Sequence, residues 1–428
     1  MTDAIAVVVF VGAYVLIATE WVHRVIVALA GAGLMLLFRI VDAHDIFNSE
    51  RLGIDWNVVF LLVGMMIIVG VLKQTGLFEY LAIWSARRSR GRPFAVLVLL
   101  IVITAMASAL LDNVTTILLV APVTVLIAER LGVPPAPFLI AEVLASKVGG
   151  TATLIGDPPN IIIGSAAGLS YSDFLVNLAP LVVLLLVVYI GLARWLFRDA
   201  LVFHPERVRE VLSLDPKETL TGGSLLPKSL AVLAVVTAAF GLQEVLEYEP
   251  SVVALLGAGV LLLIAPGQLE EATGEIEWPT LLFFVGLFVM VGALVKVGVI
   301  SDLAAFVIDV TNGDLLVATI LLVVVSAVLS AVVDNIPYVA TMVPIVAALS
   351  AELPGDTTVL WWALAIGADL GGNATSIGAS ANVVALGLAE RSGFKIRFTQ
   401  FLRYGLPTVA VTMSISIVYL WLRYFVLD

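Results

Sequence analysis

Long apolar runs recur from one end of this 428-residue chain to the other, at residues 4–19, 25–41, 58–72, 95–111, 175–196, 229–242, 281–295, 315–333 and 406–422. Most approach the roughly 17–25 residues that cross a bilayer as a helix. Because the runs never stop, the pattern predicts an all-α polytopic membrane protein with its whole fold in or beside the membrane. The first run lacks a basic flank, and no small-residue cleavage pattern separates it from the next, so no cleavable signal peptide is expected.

The polar positions between and within these runs repeat. Trp56 recurs as Trp278, Asp112-Asn113 as Asp334-Asn335, Pro122 as Pro344, Gly149-Gly150 as Gly371-Gly372, Gly156 as Gly378 and Asn160 as Asn382, always at a shift of 222. A constant register over so long a stretch points to duplication. The expected organisation is a first repeat over residues 1–200, a linker over 201–228 and a second repeat over 229–428. If each half crosses the membrane five times, the second half starts on the opposite face and the repeat is inverted.

Loop charge agrees with inversion. Arg87, Arg88, Arg90 and Arg92 make a basic loop, cytoplasmic by the positive-inside rule, whereas the matching residues 309–314 carry Asp309 and Asp314 and no base. Arginine-rich residues 194–228 and 391–403 fall inside on this scheme, and 244–249 outside. The acidic stretch 270–277 falls inside against its charge, although acids count little in this rule. Both termini are predicted external. With Pro205, Pro216 and Gly222-Gly223, the linker reads as a cytoplasmic connection, not a domain.

Composition narrows the chemistry. Hydrophobic residues make up 61% of the chain and charged residues 13%, too apolar for a soluble surface. Cysteine is absent, which excludes disulfides, thiolate metal sites and thiol catalysis. His23, His44 and His204 fall in predicted loops, far apart in sequence, and read as solvated side chains rather than metal ligands. The net charge of −11 argues against nucleic acid as a partner. No nucleophile–base pair stands out, so an enzyme is not expected, nor any cofactor beyond a coupling sodium ion or proton.

Two kinds of polar break interrupt the apolar runs, each of them twice. Asp112-Asn113-Val114-Thr115 and Asp334-Asn335-Ile336-Pro337 lie in mid-run without a loop-length spacer, which predicts the tips of re-entrant hairpins. The second kind spans 149–160 and 371–382. The first copy contains Gly149, Gly150, Thr151, Thr153, Asp157 and Asn160. The second contains Gly371, Gly372, Asn373, Thr375, Ser376 and Asn382. Glycine permits non-helical dihedrals and the Pro158-Pro159 pair withholds donors, so each stretch predicts a discontinuous helix. Free carbonyls there bind cations and free N–H groups bind anions, and paired breaks in two halves point to a transporter's midplane site. Intramembrane Asp112, Glu142, Lys147, Asp157, Asp334 and Asp369 strengthen that reading, because a buried charge is costly unless paired or hydrated.

In these stretches the sequence resembles the melanosomal P-protein family. That family lies within an ion-transporter superfamily that also holds arsenite permeases, NhaD-type sodium/proton antiporters and divalent-anion/sodium symporters. The matching segments are LLDNVTTILLVAPVT, GGTATLIGDPPNIII, VVDNIPYVATMVPIV and GADLGGNATSIGASANVVALGLAE. The resemblance implies an elevator-type transporter in the cell membrane, usually a homodimer, whose mobile domain carries both hairpins. In the divalent-anion symporters a Ser-Asn-Thr sequence at each tip binds sodium. The matching positions here are Asp112, Asn113 and Val114, then Asp334, Asn335 and Ile336, which implies sodium contacts at Asp112, Asn113, Asp334 and Asn335. Two neutral serines have thus become carboxylates, which disfavours a dicarboxylate cargo unless sodium, protons or Lys147 neutralise them. Lys147, where relatives carry Asn, has Asp369 as its repeat mate. The two either compensate one another's charge, or Lys147 takes the place of a coupling cation.

Secondary transport of a small ion or anion by alternating access is therefore the expected function. Sodium/proton exchange, arsenite or antimonite efflux and organic or inorganic anion transport all stay open. An ion channel or pH-modulating anion conductance is the alternative, which would need a continuous wet path.

Overall fold

The computed structural model describes residues 2–19, 21–49 and 52–427, and all regular structure among them is helical. The first half begins with α1 (Thr2–Thr19), α2 (Arg24–Leu37), α3 (Ala43–Asn48) and α4 (Trp56–Lys73). It continues through α5 (Leu77–Arg88), α6 (Pro93–Leu110), α7 (Asn113–Leu131) and α8 (Ala136–Gly150), then α9 (Pro158–Ala167), α10 (Tyr171–Asn177) and α11 (Ala179–Leu196). A short α12 (Val208–Leu212) lies in the connection. The second half opens with α13 (Leu225–Gly241), α14 (Gln243–Leu246), α15 (Pro250–Ile264), α16 (Leu269–Gly274) and α17 (Trp278–Lys296). It closes with α18 (Val299–Thr311), α19 (Leu315–Ser330), α20 (Asn335–Glu352), α21 (Thr358–Gly371), α22 (Ser380–Arg391) and α23 (Phe398–Trp421). The starts of α4 to α9 reappear, at the shift of 222, as the starts of α17 to α22.

The helix boundaries have local causes that recur with the register. Asp112 and Asp334 cap α7 and α20 by accepting from the backbone N–H groups of Thr115 and Ile336. Gly76 and Gly298, at φ +70° and +85°, turn α4 into α5 and α17 into α18, in a conformation that side chains resist. Among the described residues, seven helices are long and apolar enough to cross a membrane, and α2, α13 and α15 are apolar but shorter. The sequence expectation differs in detail elsewhere. The run 175–196 is split at Leu178 into α10 and α11, and α23 begins at Phe398, upstream of the expected 406. His44 lies in a short helix rather than a loop.

The connection between halves is not a loose tether. It packs on α5 and α7, and the expected boundary at 229 falls inside α13. Thr221 donates from its backbone N–H to Thr75 O at 3.0 Å and from its hydroxyl to Gln74 O at 2.5 Å. Arg87 reaches Asp215 at 3.8 Å.

Packing pairs α6 with α8 and α19 with α21 inside each half. Other large contacts cross between halves. α2 lies on α17 and α15 on α4, while α7 packs against α22 and α20 against α9. Two ion pairs follow the same exchange. Lys73 at the end of α4 holds Glu275 at 2.7 Å, and Lys296 at the end of α17 holds Asp45 at 2.6 Å.

Candidate functional site

Each discontinuous helix is built around close backbone contact. Gly149, Gly150 and Gly371 are the last residues of their helices and keep right-handed dihedrals, so the first break begins at Thr151, after its glycine pair, and the second at Gly372, within its pair. What these glycines supply is space. A Cβ on Gly149 would lie 2.2 Å from Ala105 O, and one on Gly371 2.6 Å from Ala327 O. Gly150 and Gly156 cross with similar intimacy, as do Gly372 and Gly378.

Most of the hydroxyl and amide groups in the breaks strap this arrangement together. Thr153 Oγ1 donates to Ala109 O and Thr375 Oγ1 to Ala331 O, both at 2.5 Å. Asn160 Nδ2 donates to Gly150 O and Thr153 O, and Asn382 Nδ2 donates to Gly372 O and Thr375 O. The amide oxygens of both asparagines are buried without a hydrogen-bond partner. Thr151 Oγ1 returns to Lys147 O, Asn373 Nδ2 donates to Leu144 O, and Ser376 is buried beside Thr375.

The charges converge in front of this backbone. Lys147 Nζ lies 2.6 Å from Asp157 Oδ2, with both side chains 1% exposed. Asn113 Nδ2 donates to the same oxygen at 2.8 Å, and Asn335 Nδ2 reaches Asp157 Oδ1 at 3.3 Å. The first residues of α7 and α20 therefore grip one carboxylate. Lys147 is thus paired with Asp157 across its own break and not with its repeat mate Asp369. Asp369 is fully buried, takes a long 3.5 Å contact from Asn335, and has one oxygen with no partner.

Asp334 is held from a third direction. Arg24 Nη1 lies 3.2 Å from Asp334 Oδ2 and 2.9 Å from Ser380 Oγ, the Ser380 hydroxyl donates to Asp334, and the guanidinium stands over the Phe283 ring. Asp112, the mate of Asp334, has no basic partner among the described residues. Between these groups lies a cavity of about 290 Å³ whose lining includes Arg24, Asp112, Asn113, Lys147, Asp157, Glu277 and Asn335. Gly150 and Gly372 are not among its lining residues. A second cavity of about 210 Å³ shares Met66, Leu118 and Glu277 with it, includes Thr115, and extends to the Lys73–Glu275 pair.

Arg24, Glu277 and Ser380 escaped the sequence reading. Arg24 had one available signal, a basic residue at the mouth of an apolar run, and Glu277 immediately precedes the repeated Trp278.

Residues 14–367 match the CitMHS citrate transporter family. The chain belongs to that family, within the ion transporter superfamily. It is 52% identical over 427 residues to an uncharacterized transporter of Mycobacterium tuberculosis, covering 99% of each protein. It is 50% identical over 428 residues to the 46 kDa membrane protein of Mycobacterium leprae, with complete coverage of both. The human P protein is 35% identical over 97% of this chain and 59% of its own length. Among solved structures, the Alcanivorax borkumensis YdaH transporter aligns with a TM-score of 0.61 at 16% identity, covering 85% of this chain and 84% of that one. MtrF of Neisseria gonorrhoeae, described as one of a class of antimetabolite efflux pumps, aligns with a TM-score of 0.62 at 14% identity, covering 90% and 84%. At such identity the likeness concerns the fold. This citrate transporter family member is an integral membrane transporter.

Proposed function

We propose that this family member is a secondary active transporter working by alternating access, with sodium, protons or both as coupling ions. The observation that carries the reading is the meeting of two hairpin tips on the Lys147–Asp157 pair, beside two broken helices in one repeat register. An inverted repeat explains why the elements occur twice. The exchanged packing supports an elevator, with α1, α2, α4, α13, α15 and α17 as scaffold and α6–α9 with α19–α22 as the moving part.

Charge bears on the cargo. Arg24 and Lys147 are already engaged with Asp334 and Asp157, while Asp112 and Glu277 face the cavity with no basic side chain paired to them among the described residues. A tricarboxylate such as citrate would meet net negative charge there, so it enters only with cations or protons. Half-buried carboxylates of this kind release one cation or proton as another arrives, which links the site to an ion gradient.

The test is flux in proteoliposomes, with labelled citrate or sodium and with sodium and pH gradients imposed separately. Uptake should collapse when both gradients are absent. Uptake that persists unchanged without either gradient refutes the coupling.

A further inference from the structure

A concavity of about 560 Å³, larger than the central cavity, opens where the end of α11 meets the start of α6. Its lining includes Phe94, Gly191, Arg194, Trp195 and Arg198. Arg194 lies in the last turn of α11, and Arg198 in the turn that follows the helix. The Arg194 guanidinium stands 4.9 Å from the centre of the Phe94 ring, and no carboxylate pairs with it among the described residues. Among the described residues, Arg198 pairs only with its exposed neighbour Asp199, at 3.5 Å. Two guanidinium groups therefore face one hollow with most of their donors unused.

The surface leading into the hollow is apolar. Val183, Val187, Gly191 and Trp195 recur every fourth residue on α11 and form one stripe. Val183, Val187 and Trp195 are each more than 60% exposed. Gly191 notches the stripe, because nothing lies within 4 Å of where its Cβ would stand. Tryptophan with arginine at the end of a spanning helix marks the headgroup depth of a bilayer. The N-terminus of α6, with its unsatisfied N–H groups and Arg92 as cap residue, borders the same hollow.

We propose that this hollow binds an anionic phospholipid. Its phosphate takes Arg194 and Arg198, and an acyl chain lies in the notch at Gly191 along the stripe. The charge of the flanking loops assigns this end to the cytoplasmic leaflet, where anionic lipid is available. α6 is the first arm of a hairpin and α11 packs on α8, so the lipid would touch two elements that carry the central site.

Purified protein in neutral detergent decides the matter, with melting and native mass spectrometry read after adding phosphatidylglycerol, phosphatidylcholine or inorganic phosphate. Phosphatidylglycerol alone should raise the melting midpoint and remain bound. The double variant Arg194→Gln/Arg198→Gln should bind it about thirtyfold more weakly, with an unchanged midpoint in phosphatidylcholine. Gly191→Leu keeps both charges, fills the notch and should also lose the retained lipid; it decides the question if the double variant does not fold. An equal phosphatidylglycerol response in wild type and both variants overturns the site. An equal response to inorganic phosphate overturns the lipid in favour of a free oxyanion.

Discussion

Lys147 and Asp157 stand ten residues apart on either side of one break, and both are buried. Removing one partner of such a pair strands a charge and costs about 3–5 kcal/mol, whereas replacing both with apolar groups is often neutral. Lys147→Met should therefore lower stability by about that amount, and Lys147→Met/Asp157→Leu should recover most of it, as read by melting in detergent. If the pair serves coupling, neither variant transports; a double variant with normal flux would make the pair purely structural. Asp112→Asn and Asp334→Asn should abolish proton-linked flux while leaving the protein folded, since an amide preserves the helix-capping acceptor. Wild-type flux should then vary with pH more steeply than any activity the variants retain, and identical profiles would contradict the proposal. Asp112, Asp334 and their asparagines were legible in the sequence because each occurs twice, charged or amide-bearing in an apolar run. Arg24 was not, because its partner Asp334 lies 310 residues away and Arg24 belongs to one half only. Ser380 was hidden for a related reason, since its repeat mate is Pro158.

The long apolar helices were readable from apolar run length, while the form of the breaks was not. Paired glycines suggested dihedral freedom, yet Gly149 and Gly371 are helical and exclude a Cβ because a neighbouring helix backbone occupies that space. That demand comes from tertiary contact and leaves no periodic trace. It also makes a graded prediction. Gly149→Ala and Gly371→Ala overpack α6 against α8 and α19 against α21, and should each cost about 1–3 kcal/mol. Gly259→Ala, in α15 with nothing within 4 Å of the new Cβ, should be neutral or gain up to about 1 kcal/mol from helix propensity. Comparable melting for all three would mean the close approach is relaxed at no cost. The linker owes its order to the same kind of contact. Its prolines and glycines signalled loop, but Thr221 finds carbonyl partners on residues 74 and 75, and short helical turns form around it.

Neither half is packed as a unit, since α2 lies on α17 and α15 on α4, and α7 and α20 each embrace the second piece of the other half's broken helix. Duplicated elements that exchange partners in this way meet around a central site most simply if the halves are related by a twofold axis in the membrane plane. Such an axis sends equivalent loops to opposite faces, which is a claim about sidedness that no helix length can settle. Arg87 and Asp309 occupy equivalent positions in the last turns of α5 and α18, both are exposed, and their charges are opposite. Cytoplasmic loops favour arginine, so Arg87 belongs inside and Asp309 outside. The absence of cysteine makes the test clean. Arg87→Cys and Asp309→Cys, introduced singly, can be exposed to a membrane-impermeant maleimide on intact cells and again after permeabilisation. Asp309→Cys should label from outside, and Arg87→Cys only once the membrane is opened. Labelling of both positions from the outside would place the loops on one face, and the halves would then have to be related by an axis along the membrane normal. The hairpin tips could then enter from the same side only, and alternating access through a shared midplane site would lose its geometric basis.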